Sequence, residues 1–116
     1  IILTYTSQKK NCSPLIQILK ENTLMCEVFT LNFSFELDQW YYYAATINST
    51  HQKIYINGNL VLESNETCHS RNIYRTNNFI GKSAWISDDV STASFDNMKI
   101  YDRILNQDEI WQDLNK

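Results

Sequence analysis

The stretch from residue 40 to residue 62 constrains the fold most, because three local signals agree within it. Residues 40–47 are aromatic and β-branched, which suits a pleated strand, and residues 53–57 alternate between apolar and polar side chains. Asn57-Gly58 is the pair that most readily takes positive φ at both central positions of a tight hairpin turn. Residues 60–62 then return as the next strand. The stretch predicts a meander of antiparallel strands.

The N-terminal third carries further strand patterns. Residues 1–6 alternate well enough for a first strand, and residues 15–19 and 23–30 flank a polar turn, which predicts a hairpin. Residues 31–37 alternate almost without exception, which predicts a strand with one apolar face. The residues of that face are Leu31, Phe33, Phe35 and Leu37.

The C-terminal third predicts two more strands and one helix. The strands fall at 73–80 and 95–101, and polar loops precede them. Asn106 is a good N-cap, and Glu109, at the third helical position, completes a capping box. Ile110 and Leu114 lie one turn apart on this helix, so we expect them to dock on the edge of the sheets.

Size and charge exclude several classes of protein. A chain of 116 residues is long enough for one packed core but not for two domains. The net charge of −3 and the scattered Lys and Arg residues argue against nucleic acid as a partner. No apolar run is long enough to span a membrane, so we expect no membrane insertion within this segment. The chain begins inside a predicted strand without a Met, which leads us to expect a piece of a longer protein.

Three ordered motifs resemble the laminin-G-like, concanavalin-A-like jelly-roll family. They are the Trp-led strand with K-I-Y-I-N-G (residues 40–62), the segment ending in I-G-K-S-A-W (75–85), and F-D-N-M-K-I-Y-D-R-I-L with the helix that follows (95–110). The resemblance implies an all-β fold: an antiparallel two-sheet jelly-roll sandwich with a short C-terminal helix. Residues 1–116 would form one such domain. Relatives have additional strands before the first motif, so residues 1–30 or a neighbouring chain must supply them.

Asparagine sequons and cysteines predict an extracellular or cell-surface location. The sequons begin at Asn11, Asn32, Asn48 and Asn65, and we expect Asn48 and Asn65 to lie in exposed loops, where a glycan must sit. On the predicted strand 31–37, Asn32 faces solvent, whereas Pro14 directly after the sequon weakens Asn11 as a site.

Three cysteines fit an oxidising compartment when they occur together with sequons. Cys12 and Cys26 both lie in the N-terminal strands, so we favour a disulfide between them. Cys68, in the loop after residue 62, is the rival partner, and it could also bond to another chain. No spacing of Cys and His suggests zinc.

Catalytic patterns are incomplete. Relatives that hydrolyse β-glucans use an E-x-D-x-x-E strand, because two carboxylates must act on opposite sides of the glycosidic bond. Here Glu36 and Asp38 begin that pattern, but Tyr41 occupies its third acidic position. The histidines His51 and His69 have no nucleophile in a recognisable context, so we expect both to be solvent-exposed. The sequence predicts that the chain is not an enzyme.

No cofactor is indicated apart from calcium, which some jelly-roll relatives bind through loop oxygens. Asp88, Asp89 and Asp96 are the candidate ligands, although Asp96 is better explained by hydrogen bonds to neighbouring backbone. Trp85, on a predicted loop, is a candidate for stacking on a sugar ring or for covering the sandwich edge. The other large aromatic residues are expected in the core: Phe33, Phe35, Trp40, Phe79 and Phe95. Tyr41, Tyr42 and Tyr43 must alternate faces, so we expect at least one of them to be exposed, as tyrosines often are where proteins meet.

Two functions remain open once a third, a carbohydrate-active enzyme, is disfavoured by its broken acid pair. The first is a binding or adhesion module that contacts another protein or a glycan. The second is a structural subunit that assembles with copies of itself into a surface filament or coat, which the odd cysteine and an incomplete sandwich would favour.

Overall fold

The computed structural model describes residues 2–5, 12–20, 23–65, 74, 76, 78–82, 87 and 89–116. The chain divides into two compact units, one formed by Ile1–Ser70 with Arg103–Lys116 and the other by Arg71–Asp102.

Two antiparallel sheets and one helix make up the first unit. The first sheet has the strand order β1-β2-β3 and the second has the order β4-β5-β6, so each sheet is a meander. The elements are β1 (Ile2–Tyr5), β2 (Pro14–Lys20), β3 (Thr23–Phe29), β4 (Tyr43–Ile47), β5 (Gln52–Ile56), β6 (Asn59–Ser64) and α1 (Gln107–Leu114). The predicted N-terminal hairpin and central meander are confirmed.

The two sheets pack face to face around one apolar cluster. Ile16 and Ile18 of β2 and Cys26 of β3 contact Ile54 and Ile56 of β5, and all five side chains are buried. Complete burial of an isoleucine side chain stabilises a fold by roughly 1.5–3 kcal/mol. The alternation of apolar residues along β5 therefore predicts the interior of this sandwich correctly.

The hairpin turn between β5 and β6 has the predicted geometry. Asn57 has φ 50° and Gly58 has φ 78°, the left-handed conformation that a tight hairpin requires at both positions. Gly58 also lies against the helix, since a Cβ placed there would be 3.1 Å from two ring atoms of Trp111. The turn thus needs glycine for both conformation and space.

Helix α1 begins with the predicted capping box. The Asn106 side chain accepts a hydrogen bond from the Glu109 N–H at 2.9 Å, and the Glu109 carboxylate accepts one from the Asn106 N–H at 2.8 Å. Ile110 is completely buried and packs with Leu105 against Tyr55 on the face of β5 opposite the sandwich core. The β4-β5-β6 sheet is therefore covered on both faces.

This second cover corrects the expectation that one tyrosine of residues 41–43 is exposed, because all three are half-buried. Tyr43 packs against the sandwich core, and Tyr42 packs on the helix side, where its hydroxyl donates to Asp113 at 3.1 Å. Tyr41 packs on two phenylalanine rings of the preceding loop. The alternation of residues 41–43 cannot predict that a helix much later in the sequence, α1, covers the outer face of this sheet.

Two strand predictions are wrong, and a third, at 73–80, lies partly outside the described residues. Residues 31–37 form an irregular segment, and no strand is found among the described residues of 73–80 or in 95–101. Alternation decides which side chains turn inward, but a strand also needs a neighbouring backbone to pair with. In the first segment Phe33 and Phe35 do turn inward, and the Phe35 N–H bonds to the Cys12 carbonyl at 3.1 Å.

Some expected core aromatics also lie at the surface. Trp40, Phe79 and Phe95 are exposed, whereas Phe33 and Phe35 are half-buried and pack against the core cluster. Trp40 precedes the first residue of β4, so it does not share the inward alternation of that strand. Among the described residues, no helix has the length and apolar character needed to cross a membrane.

Candidate contact surface

The loop between β3 and β4, residues 30–42, is held to the sandwich by an aromatic cluster. The rings of Phe33 and Phe35 meet edge to face, with centroids 5.2 Å apart. Tyr41 meets both of them edge to face, at 5.9 Å and 5.1 Å, and Tyr43 stacks on Phe35 at 6.3 Å. Edge-to-face pairs of this kind contribute about 0.5–1.5 kcal/mol beyond their burial. The cluster gives this loop a fixed shape.

A hydrogen bond fixes the turn at the outer end of the loop. The Tyr41 hydroxyl accepts a hydrogen bond from the Glu36 N–H at 3.1 Å, which brings the two ends of the turn together. Between them Asp38 has φ 58°, a left-handed conformation that aspartate tolerates better than most residues. The turn therefore reverses the chain at residues 37 and 38.

Two large apolar side chains project from this turn. Leu37 is 90% exposed and Trp40 is 70% exposed. The acidic residues Glu36 and Asp38 are exposed beside them. We call these four residues the tip. An isolated exposed leucine is ordinary, but a tryptophan and a leucine on an anchored loop form the type of surface that is enriched where proteins meet.

The same loop contains the incomplete acidic pattern. Tyr41, which stands at the third acidic position, belongs to the aromatic cluster, and its hydroxyl bonds to backbone. Glu36 and Asp38 lie on the exposed turn, where water solvates both carboxylates. The position that would carry the second catalytic acid thus has a structural role in this chain.

The described sequon asparagines are at the surface. Asn32, Asn48 and Asn65 are all exposed, as predicted. The Asn48 side-chain carbonyl accepts hydrogen bonds from the N–H groups of Thr50 (2.8 Å) and His51 (2.6 Å) and from the Thr50 hydroxyl (3.1 Å). This local turn displays the Asn48 amide to solvent. Asn11 lies outside the described residues, and attachment of glycan to any of the four stays a prediction.

The favoured disulfide between Cys12 and Cys26 is not formed. Cys12 is a free cysteine of intermediate exposure, whereas Cys26 is disulfide-bonded. The expectation of a Cys12–Cys26 bond is therefore wrong. The two residues lie apart in the sandwich, because Cys12 precedes β2 while Cys26 sits within the core cluster near Ile18. Cys68, the rival partner, lies outside the described residues, so its pairing stays a prediction.

The calcium candidates do not form a cluster within the described part of the chain. Asp96 accepts a hydrogen bond from the Asn97 N–H at 2.8 Å, the backbone role expected for it, and Asp89 is exposed. Among described residues no three acidic, His or Cys side chains are grouped as metal ligands. Three candidates lie outside the described residues: Asp88, Trp85 and His69.

His51 is half-buried beside the Thr50 hydroxyl and not solvent-exposed as expected.

The second unit carries an exposed aromatic group beside a cation. Phe79 is 51% exposed and Ile80 is 60% exposed, and the Lys82 ammonium lies 5.1 Å from the Phe79 ring centroid. Gly81 has φ 69°, and a Cβ there would be 3.2 Å from the exposed Phe95 ring, so this glycine permits a close approach. We call Phe79, Ile80, Lys82 and Phe95 the Phe79 patch.

Within the described part of the chain, three titratable groups have clearly shifted pKa values, each with a structural cause. Burial raises the pKa of the Tyr43 hydroxyl. A hydrogen bond from Lys53 to Glu63, its cross-strand neighbour, raises the pKa of the Lys53 ammonium. A hydrogen bond from Arg103, with a second from the Asn106 backbone, lowers the pKa of Glu109.

Comparison with known proteins agrees with the fold. A family model of laminin-G-like domains, described as the concanavalin A-like lectin/glucanases superfamily, matches residues 4–111. No curated protein matches the chain. A crystal structure of an S-layer domain-containing protein from Clostridium thermocellum is similar, with a TM-score of 0.63 and 18% sequence identity. The match covers 98% of this chain and 61% of that one, so the present chain spans less than two thirds of that protein's solved length.

Proposed function

Because this chain belongs to the concanavalin A-like lectin/glucanases superfamily, we propose that it is a non-catalytic, extracellular module that binds another protein or a glycan. The jelly-roll connection of its two sheets, its N-glycosylation and a role in adhesion are parts of this proposal. The observation that carries it is the tip, where Leu37 and Trp40 stand exposed on a loop that the aromatic cluster fixes. A fixed loop loses little conformational entropy on binding, which favours recognition.

The incomplete E-x-D-x-x-E pattern supports the non-catalytic part of this proposal. Glycoside hydrolysis needs two carboxylates on opposite sides of the scissile bond. In this chain Tyr41 replaces one of the three acidic positions and holds the loop instead. Hydrolysis of any member of a β-glucan panel that is lost on Glu36→Gln would overturn this part of the proposal.

Binding is tested with the fluorescently labelled protein on the surface of the cells that produce it. We expect saturable binding by the wild type and loss of most binding by Leu37→Ser/Trp40→Ser. Leu60→Ser is the matched control, because Leu60 is also exposed but lies on β6, outside the loop. Pretreating the cells with protease or with glycosidases separates a protein ligand from a glycan. Equal binding by the tip variant and the wild type would refute the proposed role of the tip.

Extracellular placement and glycosylation have their own test. Asn32, Asn48 and Asn65 are exposed and carry sequons. For protein purified from its source, we expect an amide-cleaving glycosidase to lower the mass and to convert occupied asparagines to aspartate. An unchanged mass, with all sequon peptides recovered unmodified, would contradict glycosylation.

A second candidate function is self-assembly into a surface layer or filament. Two observations on this chain favour it: the free Cys12 and the large apolar side chains exposed on both units. The similar structure belongs to an S-layer domain-containing protein, although at 18% identity that likeness shows the fold alone. Electron microscopy and non-reducing electrophoresis test this candidate, and a protein that stays monomeric at every concentration would exclude it.

A further inference from the structure

We propose that the tip of one copy docks on the Phe79 patch of a second copy, so that the chains associate head to tail. This inference rests on the second candidate function and names the two surfaces that would carry it. The tip presents Leu37 and Trp40, and the patch presents Phe79 and Ile80.

Each surface has the composition of an interface centre. Exposed tryptophan is among the residues that contribute most to binding when they become buried, and aromatic side chains are enriched at such centres. Trp40 is available for this because its neighbour Tyr41, and not Trp40 itself, packs in the aromatic cluster. On the patch, the Phe79 and Ile80 side chains offer an apolar surface to receive it.

Charge favours contact between the two different surfaces over contact between two tips. The tip carries two exposed carboxylates, Glu36 and Asp38, and no Lys or Arg, so two tips repel each other. The Phe79 patch carries a cation, Lys82, next to its aromatic ring. An approaching tip would place Glu36 and Asp38 within reach of that cation. The second unit also exposes two acidic side chains, Asp89 and Asp96, which would repel an acidic tip. The attraction is therefore confined to the surroundings of Lys82.

A contact between two different surfaces of one chain does not use both copies equally. The pair retains one free patch, on the copy that used its tip, and one free tip, on the copy that used its patch, so further copies can add at both. The expected product is therefore a series of oligomers whose mean size grows with concentration, and the series ends in a ring where the rotation between successive copies closes. A tip-to-tip or patch-to-patch contact would stop at a dimer.

The test uses two variants of the whole chain, each lacking one surface. Leu37→Ser/Trp40→Ser removes the apolar part of the tip, and Phe79→Ser/Ile80→Ser removes that of the patch. All four side chains are exposed, and circular dichroism checks that both variants fold. If Phe79→Ser/Ile80→Ser fails to fold, Lys82→Glu tests the patch instead. We expect this variant to weaken association about fivefold, the effect of losing a strong surface ion pair. Sedimentation velocity measures the mass of each species.

The result expected is a wild type that forms oligomers, two variants that are each monomeric alone, and a 1:1 complex of twice the monomer mass when the variants are mixed. That complex forms because the intact tip of one variant meets the intact patch of the other. If wild type associates but the mixture stays monomeric, the assignment of the surfaces is wrong while self-assembly stands. If the patch variant forms dimers alone, tips bind tips, and the inference is also wrong. A wild type that stays monomeric overturns both the inference and the second candidate function.

Discussion

Substitution of Gly58 by alanine tests the packing of the helix on the hairpin turn. Gly58 has φ 78°, and a Cβ there would lie 3.1 Å from two Trp111 ring atoms and 3.2 Å from the Leu114 Cδ2 atom. A left-handed conformation costs a non-glycine residue about 1–2 kcal/mol. Forcing an extra methyl into a packed contact typically adds about 1–3 kcal/mol.

The lower part of the combined range applies, because Trp111 is half-exposed and is able to tilt away from the new methyl. We therefore expect Gly58→Ala to lower the free energy of unfolding by about 2–3 kcal/mol. Urea unfolding followed by circular dichroism measures it, with the m-value checked for two-state behaviour.

A double-mutant cycle separates the two causes. In a Trp111→Ala background most of the contact is absent, so Gly58→Ala should cost only the conformational part, about 1–2 kcal/mol. A Gly58→Ala protein within about 0.5 kcal/mol of the wild type would refute the reasoning. An equal cost in both backgrounds would show that conformation alone matters and that the helix does not press on the turn.

Further predictions concern the core, the helix cap and the free thiol. Ile54→Ala should lower the free energy of unfolding by about 2–5 kcal/mol in urea unfolding, because Ile54 is completely buried between the sheets, whereas Leu37→Ala should change it by less than about 0.5 kcal/mol. The hydrogen bond from Arg103 lowers the folded-state pKa of Glu109, so the stability it contributes is present above the unfolded pKa of about 4.3 and is lost as pH falls through the folded pKa. As the pH is lowered from 6 to 2, the urea midpoint of unfolding should fall less steeply for Glu109→Gln than for the wild type. Identical dependence of the midpoint on pH in the two proteins would contradict this prediction. Cys12 should react with iodoacetamide without reductant, and peptide mass mapping that finds it unmodified would show that it is not a free thiol.

Features that depend on a few adjacent residues could be predicted from the sequence. The Asn57-Gly58 turn needs only positive φ at two positions, and the cap of α1 needs only Asn106 and Glu109 at the right spacing. The inward face of β5 also follows from its own alternation. In each case the physical cause lies within a few residues that are adjacent in the sequence.

Features that depend on contacts between residues distant in the sequence could not be predicted. The segment 31–37 has the alternation of a strand, but whether it pairs depends on a neighbouring backbone that its own residues do not specify. Tyr55 looks like a solvent-facing residue of β5, yet it is buried because Leu105 and Ile110 return to cover it. The bonding state of Cys26 depends on chain geometry in the same way.

The tip illustrates what sequence reasoning missed in the candidate site. Continuing the alternation of residues 31–37 places Leu37 inside, and the aromatic run after residue 39 places Trp40 inside as well. The polar pair Asp38-Gln39 was the available signal, because such a pair often marks a turn. In the structure that turn projects both apolar side chains into solvent.

Hydroxyl-radical footprinting read by mass spectrometry tests most directly whether the tip is the contact surface. Oxidation of each side chain is compared in protein alone at low concentration and in protein bound to its cells or concentrated into oligomers. The account predicts strong protection of Leu37 and Trp40, with Leu60, exposed on β6, oxidised equally in both states. Unchanged oxidation of Leu37 and Trp40 alongside clear binding or association would contradict it.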